Sequence, residues 1–190
     1  MAVSMIKIKS LSNQDLSEDF LHGFNHRQRI TAEWKKVDNA WITVETDVRR
    51  EWDVEKRKWI PDYLKEQIDQ GGVALGAFHG DRLVGFASVD GVLLGERAKY
   101  ANLTMLFVDD EYKRKGIGRS LFCGIKKAAC ELNADKLFIS AISSVDTIAF
   151  YFSMGCLDAE EIMPDFVDTE EDRYLECPLC SYTADRQDLQ

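Results

Sequence analysis

The sequence predicts a mixed α/β fold built around one central sheet. Two apolar-rich runs, VALGAFH and RLVGFASV, flank a turn at Gly80-Asp81 and predict a β-hairpin. The run YANLTMLFV predicts a buried strand, and GIGRSLFCGIKKAACEL after it repeats apolar residues at helical spacing. A further apolar run, KLFISAI, follows this helix. Residues 103–142 are therefore expected to form a strand–helix–strand crossover whose two strands are parallel.

Local patterns assign the remaining helices and strands. Residues 11–36 (LSNQDLSEDFLHGFNHRQRITAEWKK) are predicted to be helical with a break near Gly23, and AWITVETD alternates apolar and polar residues as a half-buried strand does. VEKRKWIPDYLKEQIDQGG has helical spacing up to Gly71-Gly72, and SVDTIAFYFSMG predicts a helix that ends at Gly155. Two final strands are predicted in CLDAEEIM and RYLECPL.

Composition predicts a single domain in the cytoplasm. The 190 residues are 45% hydrophobic, which is enough for one substantial core, and the chain contains neither an internal repeat nor a Gly/Ser-rich linker. No apolar run approaches the roughly 20 residues that a membrane span needs, so no membrane partner is expected. The N-terminal MAVSMIKIKS lacks the long apolar stretch of a secretory signal.

The charge balance argues against a nucleic-acid partner. The chain carries 24 Lys and Arg against 33 Asp and Glu, a net charge of -9. Such a surface repels phosphate backbones and favours a cationic partner or substrate.

Five cysteines are distributed without a metal-site pattern. Cys177 and Cys180 form a lone CxxC pair, and no second pair of ligands lies at a suitable spacing. Because a structural zinc site needs about four ligands, no metal is expected.

The stretch VDDEYKRKGIGRSLF, residues 108–122, places four basic side chains and two glycines at a strand-to-helix junction. The first amides of a helix have no intrahelical partners and lie at the positive end of its dipole, so the N–H groups from Arg114 to Arg119 are expected to bind an anion. The spacing differs from the P-loop pattern G-x-x-x-x-G-K-[ST]. It also differs from the dinucleotide pattern G-x-G-x-x-G, because Leu121 stands at the third glycine.

Two motifs together resemble the GNAT family of acyl-coenzyme A-dependent N-acyltransferases. The loop Lys113-Arg114-Lys115-Gly116-Ile117-Gly118, followed by Leu121, is similar to the family's Q/R-x-x-G-x-G/A loop, and FYFSMGC at 150–156 is similar to its F-Y-x-x-x-G-F motif. The resemblance covers about residues 72–160. The chain departs from the family at Lys113, where Gln or Arg is usual, at Cys156, where Phe is usual, and at Ser144, where Asn often begins the helix.

The resemblance implies a GNAT fold, with a mixed central sheet and a strand–helix–strand coenzyme A-binding core flanked by helices. A single GNAT domain is then expected over residues 1–190. Residues 72–160 would form the acetyl-coenzyme A-binding core. Residues 1–70, with N-terminal helices and a first strand, would form the acceptor side, and residues 161–190 would supply C-terminal strands.

The resemblance also implies the roles of individual residues. Acetyl-coenzyme A would be the cosubstrate, with its diphosphate on the loop amides and its pantetheine arm beside the preceding strand, which must splay from KLFISAI. A backbone N–H near Phe107 would polarise the thioester carbonyl. Tyr151 would act as the acid that protonates the departing thiolate. The residues expected to bind the cosubstrate are Leu106, Phe107, Val108, Lys113, Arg114, Lys115, Gly116, Ile117, Gly118, Arg119 and Ser144.

The implied reaction is direct attack of a primary amine on the thioester, and the base stays open. The strand before the loop offers Asn102 and Thr104 rather than a carboxylate, and the carboxylates Glu45, Asp47 and Glu96 are the other candidates. The acceptor would be a small molecule or a peptide bound beside the N-terminal tryptophans, and the fold is often a homodimer. The alternative is a non-catalytic domain that binds acyl-coenzyme A and has a regulatory role.

Overall fold

A computed structural model describes residues 5–179 of the chain. Its strands are β1 (Ile6–Ser10), β2 (Arg27–Val37), β3 (Ala40–Glu51), β4 (Val73–His79), β5 (Arg82–Leu94), β6 (Tyr100–Val108), β7 (Lys136–Ala141), β8 (Leu157–Asp158) and β9 (Arg173–Pro178). Its α-helices are α1 (Val54–Asp69), α2 (Ile117–Glu131) and α3 (Val145–Ser153). Within residues 5–179, no helix is long and apolar enough to cross a membrane.

Seven of the strands form a mixed sheet in the order β1-β4-β5-β6-β7-β9-β8. The pair β6 and β7 is parallel, and its neighbours in the sheet pair antiparallel. Because α2 connects β6 to β7, the predicted strand–helix–strand crossover is confirmed. The predicted hairpin at Gly80-Asp81 is also confirmed, as β4 and β5.

The sheet buries apolar side chains on both of its faces. Helices α2 and α3 cover one face through residues such as Leu121, Ile125 and Ile148. Helix α1 covers the other face together with residues 11–24, through residues such as Leu64 and Phe24. A ligand can therefore reach the backbone of the sheet at the strand ends or where neighbouring strands separate.

The helical assignment of residues 11–36 is wrong. Residues 11–24 form turns, and residues 27–37 form β2, which pairs with β3 in a separate two-stranded hairpin. The hairpin turn is Asp38-Asn39, and both residues have positive φ, 48° and 65°, as a two-residue turn between twisted strands requires. The alternation of Ile30, Ala32 and Trp34 is the strand signal that the helical interpretation overlooked.

Other differences concern the ends of the chain. Strand β1, which pairs with β4, was not predicted, and of CLDAEEIM only Leu157–Asp158 is a strand. The predicted strand RYLECPL is confirmed as β9. Cys177 is buried in β9 beside the equally buried Cys156, whereas Cys180, the other half of the CxxC pair, lies outside the described residues.

A buried ion pair joins β6, β7 and β9 at the end of the sheet where β6 begins. The Glu176 carboxylate accepts hydrogen bonds from Lys136 Nζ and from the Tyr100 hydroxyl, both at 2.7 Å. Burial alone raises the pKa of Glu176, but these hydrogen bonds and one from the Glu160 N–H outweigh it, so the pKa is lowered. The pair therefore stabilises the fold only while Glu176 is ionised.

Lys136→Met is expected to lower the free energy of unfolding at pH 7 by about 3 kcal/mol, because it leaves a buried carboxylate without its cation. Since the folded pKa is lowered, the contribution of Glu176 is present above its ordinary value of 4.5 and is lost as the pH falls below it. Urea unfolding at pH 7 and pH 4 tests both statements. Lys127→Met, at an exposed ion pair with Glu131, is the control and should change stability by less than about 1 kcal/mol.

Candidate active site

The loop between β6 and α2 presents a row of free backbone amides. Arg114 and Gly116 both adopt the left-handed conformation, with φ of 61° and 82°. Within residues 5–179, the N–H groups from Arg114 to Arg119 donate no hydrogen bond, and the first intrahelical donor is Ser120, which bonds the Gly116 carbonyl. Six unpaired donors at the start of a 15-residue helix are an arrangement that suits an anion, so the expectation of an anion at this loop stays a prediction.

The basic side chains of the loop divide into two groups. Lys113 turns away from the amides, because its ammonium bonds the Arg27 carbonyl at 2.6 Å and the Asp110 carboxylate at 2.5 Å. Lys115 lies over the Tyr112 ring at 4.6 Å. Arg114 and Arg119 are exposed, and neither forms an ion pair with another described residue. The two arginines are therefore available to an anion on the loop, while Lys113 anchors the loop to β2.

Strand β6 separates from β7 after three residues. Tyr100, Ala101 and Asn102 pair with residues 136–138 of β7, and no further pairs join the two strands. On its other side, β6 stays paired with β5 as far as Val108. The half of β6 that includes the predicted pantetheine-binding residues Leu106, Phe107 and Val108 thus has a free backbone edge. The predicted splay is confirmed, and the space between the strands is here called the gap.

A β-bulge lies at the start of the gap. Met105 pairs with Ser88 and Leu103 pairs with Val89, which leaves Thr104 without a partner on β5. The Thr104 hydroxyl contacts the Ser88 hydroxyl at 2.6 Å and the Gln67 side-chain oxygen of α1 at 3.0 Å. A bulge re-aims side chains and ends regular pairing, so Thr104 marks where the strand turns its polar groups toward α1.

Tyr151 lies on the α2 and α3 face of the sheet. Its ring packs edge-on against Phe122 of α2 and is 8% exposed. Burial, and secondarily the Cys156 thiol, raises the pKa of Tyr151 well above its ordinary value. No other described residue hydrogen-bonds its hydroxyl. A buried phenol that stays protonated and has no protein partner can donate its proton to a ligand.

Ser144 begins helix α3 and links it to β2. It is the N-cap of α3, where its Oγ accepts the Thr147 N–H at 3.2 Å, and it also accepts a bond from Gln28 of β2 at 3.4 Å. The Trp34 N–H donates to the Ser143 carbonyl at 2.7 Å. Because β2 also contacts the loop through Arg27, the hairpin connects the two strand ends that border the gap.

The opposite face of the gap carries polar groups from distant parts of the chain. Helix α1 places Tyr63 near Thr104, whose hydroxyl interacts with the phenol of Tyr63. From the segment before β9, the Asp168 N–H donates to Ser140 Oγ of β7 at 3.1 Å, and Ser140 Oγ donates to Asp172 at 2.8 Å. Of these residues, the sequence offered Thr104 as a candidate. Tyr63 and Asp168 were missed, because no short motif joins them to Thr104.

The Acetyltransferase (GNAT) domain family model matches residues 46–161, more than half of the chain. The chain belongs to the GNAT acetyltransferase family. A search of curated protein sequences found no significant match.

Solved GNAT structures share the fold of this GNAT chain. A nourseothricin acetyltransferase has 15% identity and a TM-score of 0.66, over 92% of this chain and 98% of that one. A Bacillus anthracis protein named as a streptothricin acetyltransferase, solved with acetyl coenzyme A, has 16% identity and the same TM-score of 0.66 and coverages of 92% and 98%. The Escherichia coli ribosomal-protein-S18-alanine N-acetyltransferase has 19% identity and a TM-score of 0.57, over 97% and 100%.

The carboxylates considered as bases in this GNAT chain lie on the β2–β3 hairpin or in the turn after β5. Asp47 pairs with Arg29 on the exposed hairpin at 2.9 Å, and Glu45 lies on the same strand. The Glu96 N–H bonds Glu161 in the turn after β5, toward the end of the sheet where β6 begins. Asn102 lies on the part of β6 that is paired with β7. Thr104, by contrast, lies on the part of β6 that is not paired with β7.

Two groups of aromatic side chains in the N-terminal half pack at different places. Trp52 and the His26 ring, 4.5 Å apart, pack on Phe107 beside the gap, and burial lowers the pKa of His26 to about 4. Trp34 and Trp41 lie instead against the Arg173 guanidinium, at 5.3 and 4.3 Å. Among residues 5–179, no cluster of His, Cys, Asp and Glu could hold a metal ion.

Proposed function

We propose that this GNAT protein is an acetyl-coenzyme A-dependent N-acetyltransferase that acetylates a primary amine by direct attack in a ternary complex. One observation carries the proposal. Six unpaired amides at the start of α2 lead into the free backbone edge of β6. A diphosphate fits the first feature, and the two amides of a pantetheine arm fit the second, because they can add to a free strand edge.

The residues present fit acetyl-coenzyme A. The amides from Arg114 to Arg119 hold the diphosphate, and the exposed guanidinium groups of Arg114 and Arg119 add the charge that it requires. The backbone of Leu106, Phe107 and Val108 holds the pantetheine arm. The Bacillus anthracis structure, which shares the fold and was solved with acetyl coenzyme A, supports the choice of cosubstrate. Lys113 contributes indirectly, by fixing the loop to Arg27 and Asp110.

The gap brings the two substrates to opposite faces of one sheet. The cosubstrate approaches from the face of α2 and α3, and the amine approaches from the face of α1. The acetyl group then lies between them, and the amine attacks it without a covalent enzyme intermediate. Bringing two reactants together in a fixed orientation is itself a large part of the catalysis. Tyr151 protonates the thiolate as the carbon–sulfur bond breaks.

A thiol-release assay with acetyl-coenzyme A tests the proposal. The acceptor panel contains lysine, spermidine, nourseothricin and an N-terminal alanyl peptide, the last two chosen from the names of the structural neighbours. Release of free thiol that depends on an amine, with formation of the N-acetyl product by mass spectrometry, is the expected result. Tight binding of coenzyme A without release for any amine would identify the alternative, a non-catalytic acyl-coenzyme A-binding domain.

A further inference from the structure

Asp168 occupies a fixed position at the amine side of the gap. Its backbone N–H is bonded to Ser140, which lies on β7 beyond the last residue that pairs with β6. On β7, the side chains of Leu137 and Ile139 face α2 and α3, so by strand alternation Ser140 lies on the opposite face of the sheet, the face to which α1 belongs. Tyr63 of α1 lies within electrostatic range of Asp168 and interacts with Thr104 of β6. Asp168 is therefore bonded to β7 through its backbone and linked to β6 through Tyr63.

The Asp168 carboxylate differs from that of the neighbouring Asp172 in its hydrogen bonding. No described residue donates a hydrogen bond to it, whereas the neighbouring Asp172 accepts one from Ser140. Its side chain keeps contact with solvent, although surrounding atoms remove part of its hydration. This loss of hydration, together with the charge of Asp172, raises the pKa of Asp168 against the effect of Lys56. Raising the pKa of a carboxylate makes it a better proton acceptor.

We infer that Asp168 is the catalytic base that deprotonates the attacking amine, and that the acceptor reaches the gap as an ammonium. The inference rests on the proposed function and adds a residue and a substrate charge to it. Tyr63 and Thr104 position the acceptor beside Asp168 from the other side of the gap.

The proton and electron balance of the step is complete with these groups. The ammonium gives one proton to Asp168, and the free amine forms the carbon–nitrogen bond with the thioester carbonyl. The carbon–sulfur bond then breaks, and its electron pair leaves on sulfur as a thiolate, which takes the Tyr151 proton. The new amide nitrogen loses one further proton, which restores Tyr151 through solvent. The net change is ammonium plus acetyl thioester to amide, free thiol and one proton.

The charges around the site favour an ammonium. Asp172 lies on the same segment as Asp168, and Asp90 and Glu66 act on Tyr63 from β5 and α1. Lys56 of α1 is the cation that opposes them, and its ammonium lies over the Trp59 ring at 4.0 Å. Around Tyr63 and Asp168, carboxylates therefore outnumber the single cation Lys56, which favours an acceptor that carries a positive charge.

The test is the pH dependence of kcat/KM for an amine with a pKa of about 9 or higher, which remains an ammonium through neutral pH. With Asp168 as base, log kcat/KM of the wild type rises to a plateau once the pH exceeds the pKa of Asp168, which lies above the ordinary 3.8. In Asp168→Asn, only the free-amine fraction reacts, which is about 1% at pH 7 for an amine with a pKa of about 9. Its log kcat/KM therefore rises by about one per pH unit and lies about 100-fold below wild type at pH 7. Asp168→Glu should restore the plateau in part.

Matched controls separate this inference from the proposed function. Asp165→Asn removes an exposed carboxylate of the same segment and should leave the plateau unchanged. The dissociation constant of coenzyme A should be the same in all variants, and carboxyl NMR of the protein without cosubstrate should show a raised pKa for Asp168. A wild type without a plateau, or an Asp168→Asn variant that keeps it, overturns the inference while turnover sustains the proposed function. A wild type that acetylates no amine overturns both.

Discussion

Gly116→Asp is expected to weaken coenzyme A binding by at least about 100-fold. The substitution places a carboxylate among the six unpaired amides, where the diphosphate is proposed to bind. Two unit charges about 4 Å apart repel by about 4 kcal/mol at the effective dielectric of a protein surface, and each 1.4 kcal/mol is tenfold in affinity. Isothermal titration with coenzyme A measures the effect directly, without reference to the acceptor.

Gly71→Asp is a closely matched control for Gly116→Asp. Both glycines have positive φ, 82° for Gly116 and 88° for Gly71, and an added Cβ meets no atom within 4 Å at either position. The two variants therefore share the backbone strain and the added charge, but Gly71 lies at the end of α1. Equal weakening in both variants would show that strain or net charge is responsible. Unchanged affinity in Gly116→Asp would show that the diphosphate binds elsewhere.

The proposed cosubstrate half of the site could be predicted because its elements are local in sequence. The strand, the glycine loop and the helix occupy residues 100–131 without interruption, and the free amides follow from where the helix begins. The separation of β6 from β7 was implied by the resemblance to the GNAT family, because a pantetheine arm needs a free strand edge. The exception is Lys113, because only the fold shows that Arg27 and Asp110 bind its ammonium.

The proposed acceptor half could be predicted only at Thr104, because it joins residues that lie far apart in the chain. Thr104, Tyr63 and Asp168 come from a strand, an earlier helix and a later segment, and a lone Asp in the run DFVDTEEDR resembles a solvated surface charge. The β2–β3 hairpin was missed for a different reason. The helical spacing of residues 11–24 was extended past Asn25, although period-two alternation begins at Ile30 and Asp38-Asn39 supplies the turn.

The local basic loop offsets the net negative charge of the protein at the place where an anionic cosubstrate is proposed to bind. A net charge of -9 alone would repel a polyphosphate cosubstrate. Arg114 and Arg119 offset this charge at the start of α2, while Asp90, Asp168 and Asp172 add negative charge around Tyr63 and are opposed there by Lys56. The opposite signs on the two faces of the gap would direct an anionic cosubstrate and a cationic amine to different sides.

Tyr151→Phe is expected to lower kcat by about 100-fold, because general acid catalysis of a thiolate's departure is worth about this much. The KM for the amine and the dissociation constant of coenzyme A should change little, since the hydroxyl acts on the leaving group. The raised pKa keeps the phenol protonated throughout the working range, so the loss should be independent of pH. Steady-state kinetics and coenzyme A titration on one preparation measure these quantities.

Tyr100→Phe shows why the loss in Tyr151→Phe would report chemistry rather than folding. The Tyr100 hydroxyl donates a hydrogen bond to the buried Glu176 carboxylate at 2.7 Å. Loss of this hydrogen bond in Tyr100→Phe should destabilise the fold by about 1–3 kcal/mol, while kcat stays unchanged. The Tyr151 hydroxyl has no partner among residues 5–179, so Tyr151→Phe should leave the free energy of unfolding within about 1 kcal/mol of wild type. If Tyr151→Phe instead lost stability and kept its kcat, Tyr151 would be a packing residue, and the thiolate would take its proton from solvent.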